Sequence, residues 1–193
     1  AKYNADGSEA WLAATLGLSY IRTLDTDAEG NVYIAGVLAD QVTFYSADNN
    51  NQVVNGTAGV TVPINTFVAK YDNNGNLKAV RLITSAANPA IAASGIYFPE
   101  AGDVRIYPGK LMVSGGKVYL SATYTGDVNF DNVQWAGRYL DVFSFMYSDV
   151  PGVGILSLDA ANLTNGTSVA NLIMKDNKSS VQQNQESVSF TVD

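Results

Sequence analysis

The chain has 193 residues, 47% of them apolar and 15% charged, a balance that suits a packed domain and argues against disorder. Eleven Lys and Arg against 18 Asp and Glu leave a net charge of −7 with the basic residues scattered, so neither nucleic acid nor an anionic membrane surface is expected as a partner. Cysteine and histidine are both absent, which removes disulfides, thiolates, histidine-dependent triads and His-bearing zinc sites, and no run of 18 apolar residues predicts membrane insertion.

From the N-terminus onward the chain repeats itself. "AKYNADGSEAWLAA", residues 1–14, matches "AKYDNNGNLKAVRL", residues 69–82, with Ala1, Lys2, Tyr3 and Gly7 falling on Ala69, Lys70, Tyr71 and Gly75. The next segment alternates apolar and polar residues in short runs bounded by Gly, Asn and Asp, the period of strands. Strands are predicted near 18–25, 31–38, 66–72 and 77–84. Two of their connections are D-x-x-G-N turns, Asp27–Asn31 and Asp72–Asn76, in which glycine supplies a positive φ and Asp or Asn bonds its own backbone. A looser match lays residues 30–44 on 116–130, so that Tyr33 meets Tyr119 and Phe44 meets Phe130. It predicts a second unit with strands near 104–113, 117–124, 153–159 and 168–174. Residues 141–147, "DVFSFMY", are the alternative third strand of that unit. "SVSFTVD", 187–193, has the pattern of an opening strand.

"DTDAEGNVYIAG" followed by "TFVAKYDNNGNLKAVRLI" resembles the bacterial β-propeller repeat known as the SBBP repeat, closely over residues 19–84, partly over 1–14 and more weakly from 103 onward. The resemblance implies an all-β, β-propeller-like fold of consecutive four-stranded antiparallel blades. Residues 1–17 would end one blade, 18–84 and 103–174 would each form one, and 187–193 would start another. It also implies an exported protein at the extracellular or outer-membrane surface of a bacterium, and it carries no catalytic residues. Propellers close with typically four to eight blades, and a blade cannot bury its faces alone. The expectation is therefore a segment whose remaining blades lie on a longer chain, with other copies of this chain as the alternative.

Three acidic residues, Asp25, Asp27 and Glu29, stand before Gly30 as in a calcium loop, the one cofactor the sequence suggests. The twelfth position of an EF-hand is Gly36 instead of Glu, and Val32, Tyr33 and Ile34 continue as a strand where a helix should follow. "YDNNGN" makes the same turn with one carboxylate and "SGGK" at 114–117 with none, so the reading is a turn, with a looser calcium site as the alternative.

The long connection 45–65 is polar, whereas its counterpart 131–152 is rich in aromatics. There Trp135 or Tyr139 beside Asp131, Asp141 or Arg138 could stack on a sugar and bond its hydroxyls. The competing reading is that alternate members of this run face a core. Carboxylate pairs such as Asp127 with Asp131 have no spacing that specifies glycoside hydrolysis. The functional expectation is a non-catalytic adhesion or ligand-recognition module that binds glycan or protein through blade loops. The alternative is part of a carbohydrate-active enzyme with its catalytic residues elsewhere.

Overall fold

The computed structural model describes residues 1–56, 65–86, 105–143 and 146–173, and every regular element in them is a strand. The fold is all-β and propeller-like: several antiparallel sheets of two to four strands. The first four-stranded sheet, or blade, is a meander of β4 (Ser19–Thr26), β5 (Val32–Leu38), β8 (Asn65–Tyr71) and β9 (Leu77–Ile83). The second consists of β11 (Ile106–Ser114), β12 (Lys117–Tyr124), β17 (Gly152–Asp159) and β18 (Thr167–Ile173). The third strand of the second blade is thus 152–159; residues 138–143 and 146–150 form a separate hairpin, β15–β16. The opening-strand pattern at 187–193 lies outside the described residues.

The two blades share one register. Tyr33 stands opposite Asp25 and Lys70, and Tyr119 opposite Met112 and Ser157. One step on, Ile34 faces Leu24 and Ala69, as Leu120 faces Leu111 and Leu156. Even the irregularity recurs, because β4 bulges between Ile21 and Thr23 and β11 between Pro108 and Leu111. A one-residue slip would exchange the faces of a strand, so matching registers mean matching faces.

Beside the blades lie small sheets that the sequence pattern did not reveal. β3 (Thr15–Leu16) pairs with the hairpin β6 (Gln41–Phe44) and β7 (Gln52–Asn55), and β10 (Ser85–Ala86) pairs with β13 (Asp127–Phe130) and β14 (Val133–Trp135). The stretches read as loops after Phe44 and Phe130 therefore contain strands. Near the N-terminus, β1 (Lys2–Tyr3) and β2 (Glu9–Trp11) pair, among the described residues, only with each other.

The D-x-x-G-N turns fold for a local reason. Gly30 and Gly75 have φ of 80° and 83°, a left-handed conformation that costs a glycine nothing. Asp27 Oδ1 accepts from the amides of Glu29 (3.1 Å) and Asn31 (2.9 Å), and Asp72 Oδ1 does the same for Asn74 (2.9 Å) and Asn76 (3.0 Å).

Each face of the first blade has its own core. One, with Ile34, Leu38, Phe67, Ala69 and Tyr71, packs on Val42 and Phe44 of the small sheet and on Trp11. The other, with Tyr33, Ala35 and Val68, joins the large core of the second blade around Ile106, Leu111, Leu120, Trp135 and Leu156. β5 is consequently buried along almost its whole length instead of alternating with solvent.

Candidate functional site

Asp27 is occupied by its own turn. Besides the two amides on Oδ1, its Oδ2 accepts from Asn31 Nδ2 at 2.7 Å and lies 3.0 Å from the Tyr33 hydroxyl. Burial works against the Asp27 charge, but these bonds outweigh it and hold the pKa below the usual carboxylate value. Asp25 has a different partner, since its Oδ2 accepts from the Val113 amide of the second blade at 2.8 Å. Glu29 is exposed on the turn. A calcium loop needs such oxygens aimed at one point. Here the Asp25 and Asp27 carboxylates serve two separate sets of amides, and among the described residues no group of three or more acidic side chains is placed to share an ion.

Beside this turn a cleft of about 620 Å³ opens between the blades, walled by Asp27, Glu29, Tyr33, Lys70, Gly115 and Ala161. Lys70 crosses it: its ammonium donates to Ala160 O at 2.8 Å and Ala161 O at 3.1 Å, and stands 5.4 Å from the centre of the Tyr33 ring. The Tyr33 hydroxyl is also 3.0 Å from Ala160 O, so one proton is shared between that carbonyl and Asp27. Burial first, then the neighbouring Asp27, pushes the Tyr33 pKa up, which keeps the phenol neutral.

Lys70 thus joins the third strand of one blade to the turn after the third strand of the next. A second instance exists. Lys2 stands opposite Trp11 on β1–β2 as Lys70 stands opposite Ala79 on β8–β9. Its ammonium reaches the side chain of Asn73 and lies 3.4 Å from Asn73 O, and Trp11 Nε1 donates to the same carbonyl at 3.0 Å. Asn73 follows Asp72 as Ala160 follows Asp159, so the two lysines fasten equivalent carbonyls of successive blades. Along the first strands, Thr23 Oγ1 accepts from the Leu111 amide at 3.2 Å, next to the Asp25–Val113 bond. Thr66 Oγ1 donates to Ile106 O at 2.6 Å. The sequence reading missed these fasteners; the lysine shared by "AKYN" and "AKYD" was the signal that could have found one of them.

The aromatic segment divides. Trp135 is 2% exposed, its ring stacks on Tyr124 with centroids 5.1 Å apart, and its Nε1 donates to Ser168 Oγ at 2.8 Å. An indole so enclosed has no face to offer a sugar, and the placement of Trp135 on a binding loop is corrected to a place in the core. The reason is the alternation Val133 in, Gln134 out, Trp135 in along β14. Asp131, at the β13–β14 turn, pairs with Arg81 Nη2 at 2.7 Å and accepts from the Gly166 amide at 2.8 Å, tying both blades to the small sheet. The side chains of Arg138, Tyr139 and Asp141 lie outside the described residues; their backbone forms β15, where Tyr139 pairs with Asp149 and Asp141 with Tyr147. The structure therefore separates Trp135 and Asp131 from any common binding face.

No family model matches the chain, and no solved structure matches it. It is similar to an uncharacterized WD repeat-containing protein of Acanthamoeba polyphaga mimivirus, 30% identical over 118 residues. That stretch is 60% of this chain and 8% of the viral protein, so the chain spans only a small part of this relative. WD repeats build β-propellers, in agreement with the sheets described above.

Proposed function

We propose that the chain is a non-catalytic recognition or adhesion segment of a larger propeller, binding glycan or protein at a bacterial cell surface. The finer assignment to the SBBP-type repeat, and with it the exported setting, rests on the D-x-x-G-N-V-Y and F-V-A-K-Y-D patterns.

One observation carries the reading: the hairpin β15–β16, Arg138–Val150, is inserted between β14 and β17, belongs to neither blade sheet, and has no strand counterpart among the described residues of the first unit. Insertions on a repeated scaffold are where one repeat acquires a role the others lack. This one holds Arg138, Tyr139, Phe143 and Tyr147, residue types that stack on sugars and anchor protein interfaces. The carboxylates of Asp25, Asp27 and Asp131 are held in turns and inter-blade bonds. Among the described residues no helix is long and apolar enough to cross a membrane.

A glycan array and a pull-down from surface extract, each with the wild-type chain and with Arg138→Ala/Tyr139→Ala, test the proposal. Binding that falls at least tenfold in the variant with unchanged circular dichroism is expected. Release of free sugar on incubation would favour the carbohydrate-active enzyme, and unchanged binding would move recognition away from the hairpin.

A further inference from the structure

The first strand of the first blade is uncovered on the side where the first strand of the second blade is covered. Leu111 on β11 is 2% exposed because the first blade lies over it, whereas Leu24, at the same register position on β4, is 63% exposed, and its neighbour Ile21 is 56% exposed. An apolar groove of about 470 Å³ runs between Leu24, Ile21 and Ile34 on one side and Lys2 and Trp11 of β1–β2 on the other. The fasteners already described show what belongs there. Lys2 and Trp11 grip Asn73 as the third and fourth strands of a preceding blade, yet among the described residues β1–β2 pairs with no further strand. On β11 the amides of Leu111 and Val113 turn away from β12 to meet Thr23 and Asp25. By register, the amides of Leu24 and Thr26 turn toward the groove in the same way.

We propose that this groove receives a two-stranded β-hairpin of the same repeat whose first strand carries Thr-x-Asp, a pattern that Thr191 and Asp193 also have, supplied by a further length of repeat and not by the described blades of a second copy of this chain. The second copy is disfavoured by chemistry. The face of its own first blade that carries Thr23 and Asp25 is already covered, which among the described residues leaves the far face of its second blade as the available blade surface. There Met112 replaces Asp25, the bulge at Gly109 and Lys110 replaces Thr23, and Ser157 replaces Lys70. That face offers neither the acceptors for the Leu24 and Thr26 amides nor the ammonium that fastens the next turn. Head-to-tail assembly of copies would leave those amides without the partners that Leu111 and Val113 have, at the cost of unpaired buried donors.

The probe is a blocked synthetic peptide of residues 18–39, the β4–β5 hairpin, used as a stand-in for the incoming one. In calorimetry against the full chain it should bind saturably. The same peptide with Thr23→Val and Asp25→Ala should bind about tenfold more weakly or worse, as expected from the loss of one charge-assisted bond. Leu24→Lys or Ile21→Lys in the chain should abolish binding while leaving circular dichroism unchanged, both side chains being exposed. Absence of peptide binding, or equal binding of the two peptides, would overturn the proposal. So would a concentration-dependent oligomer of the wild-type chain, seen by light scattering and dispersed by Leu24→Lys, since that would make a second copy the occupant.

Discussion

The assignment of Trp135 to the core gives a quantitative test that depends on one close contact. Its indole lies over Gly154, the third residue of β17, where a β-carbon would stand only 2.5 Å from Trp135 Cζ2. Truncation by Trp135→Ala removes the stack on Tyr124 and leaves a cavity, which for a buried aromatic costs about 3–5 kcal/mol. For a chain of this size that lowers Tm by roughly 6–20 °C. Gly154→Ala inserts a methyl into the ring and costs about 1–3 kcal/mol by overpacking. In the Trp135→Ala background the methyl enters the vacated space, and its cost falls to about zero. The double variant is therefore expected to be more stable than the sum of the singles by about 1–3 kcal/mol, a coupling readable from urea midpoints at constant slope. Additive effects would refute the contact. A Trp135→Ala chain as stable as wild type would refute the burial and restore Trp135 as a candidate ligand contact.

Asp72 supplies an acid limb: burial opposes its charge, but bonds from Asn76, Lys78 and Asn74 hold the pKa at about 2. A carboxylate depressed in the folded state stabilises above its unfolded pKa and loses that contribution as pH falls from about 4 toward 2, so Asp72→Asn should flatten the stability profile in that window and leave its slope near pH 7 unchanged. Asp27→Ala removes the acceptor of the 27–31 turn and should cost about 1.5–3 kcal/mol in chemical denaturation. Calcium titrated into the wild-type chain is expected to give no micromolar heat, and such binding, if lost in Asp27→Ala, would contradict a turn-only carboxylate. Lys70→Met keeps the stem and deletes the ammonium, so denaturation should show a loss of about 1–2 kcal/mol that salt does not reproduce, the acceptors being neutral carbonyls.

The blade strands were legible because each is a run of seven to nine residues rich in strand formers, and two of the connections are turns whose residues have one conformational reason to be there. Tyr33 and Tyr119, and Phe44 and Phe130, fall on matching positions, as the repeat required. β3 and β10 have two residues each, below the length at which any period can be counted. Trp135 was misplaced because an aromatic-rich connection was read as one loop, although Val-Gln-Trp already had the alternation of a strand. The partners of the fasteners between blades were not legible, although the repeated lysine marked one of them. Asp25 and Val113, or Lys70 and Ala160, are separated by 88 and 90 residues, and nothing local to either partner announces the other.

Those fasteners change what the repeated residues mean. A lysine in the third strand of a repeat reads as a solvated residue on the polar face, and the Thr-x-Asp before the first turn reads as part of an acidic loop. In the fold both leave their own blade. The lysine donates to a turn carbonyl of its neighbour, and the Thr-x-Asp side chains take up edge amides that a first strand would otherwise leave unpaired. Tyr33 and Tyr119 show the consequence: Tyr33 is 1% exposed under the next blade, while Tyr119, with Ser157 opposite it instead of a lysine, is only half-buried. A blade face that carries the lysine and the Thr-x-Asp is built to be covered by another blade. One that has lost them keeps the same strands and turns but offers a neighbour only apolar contact. The order in which blades can follow one another is therefore set by these few polar side chains, and the hydrophobic alternation that makes each blade is common to all of them.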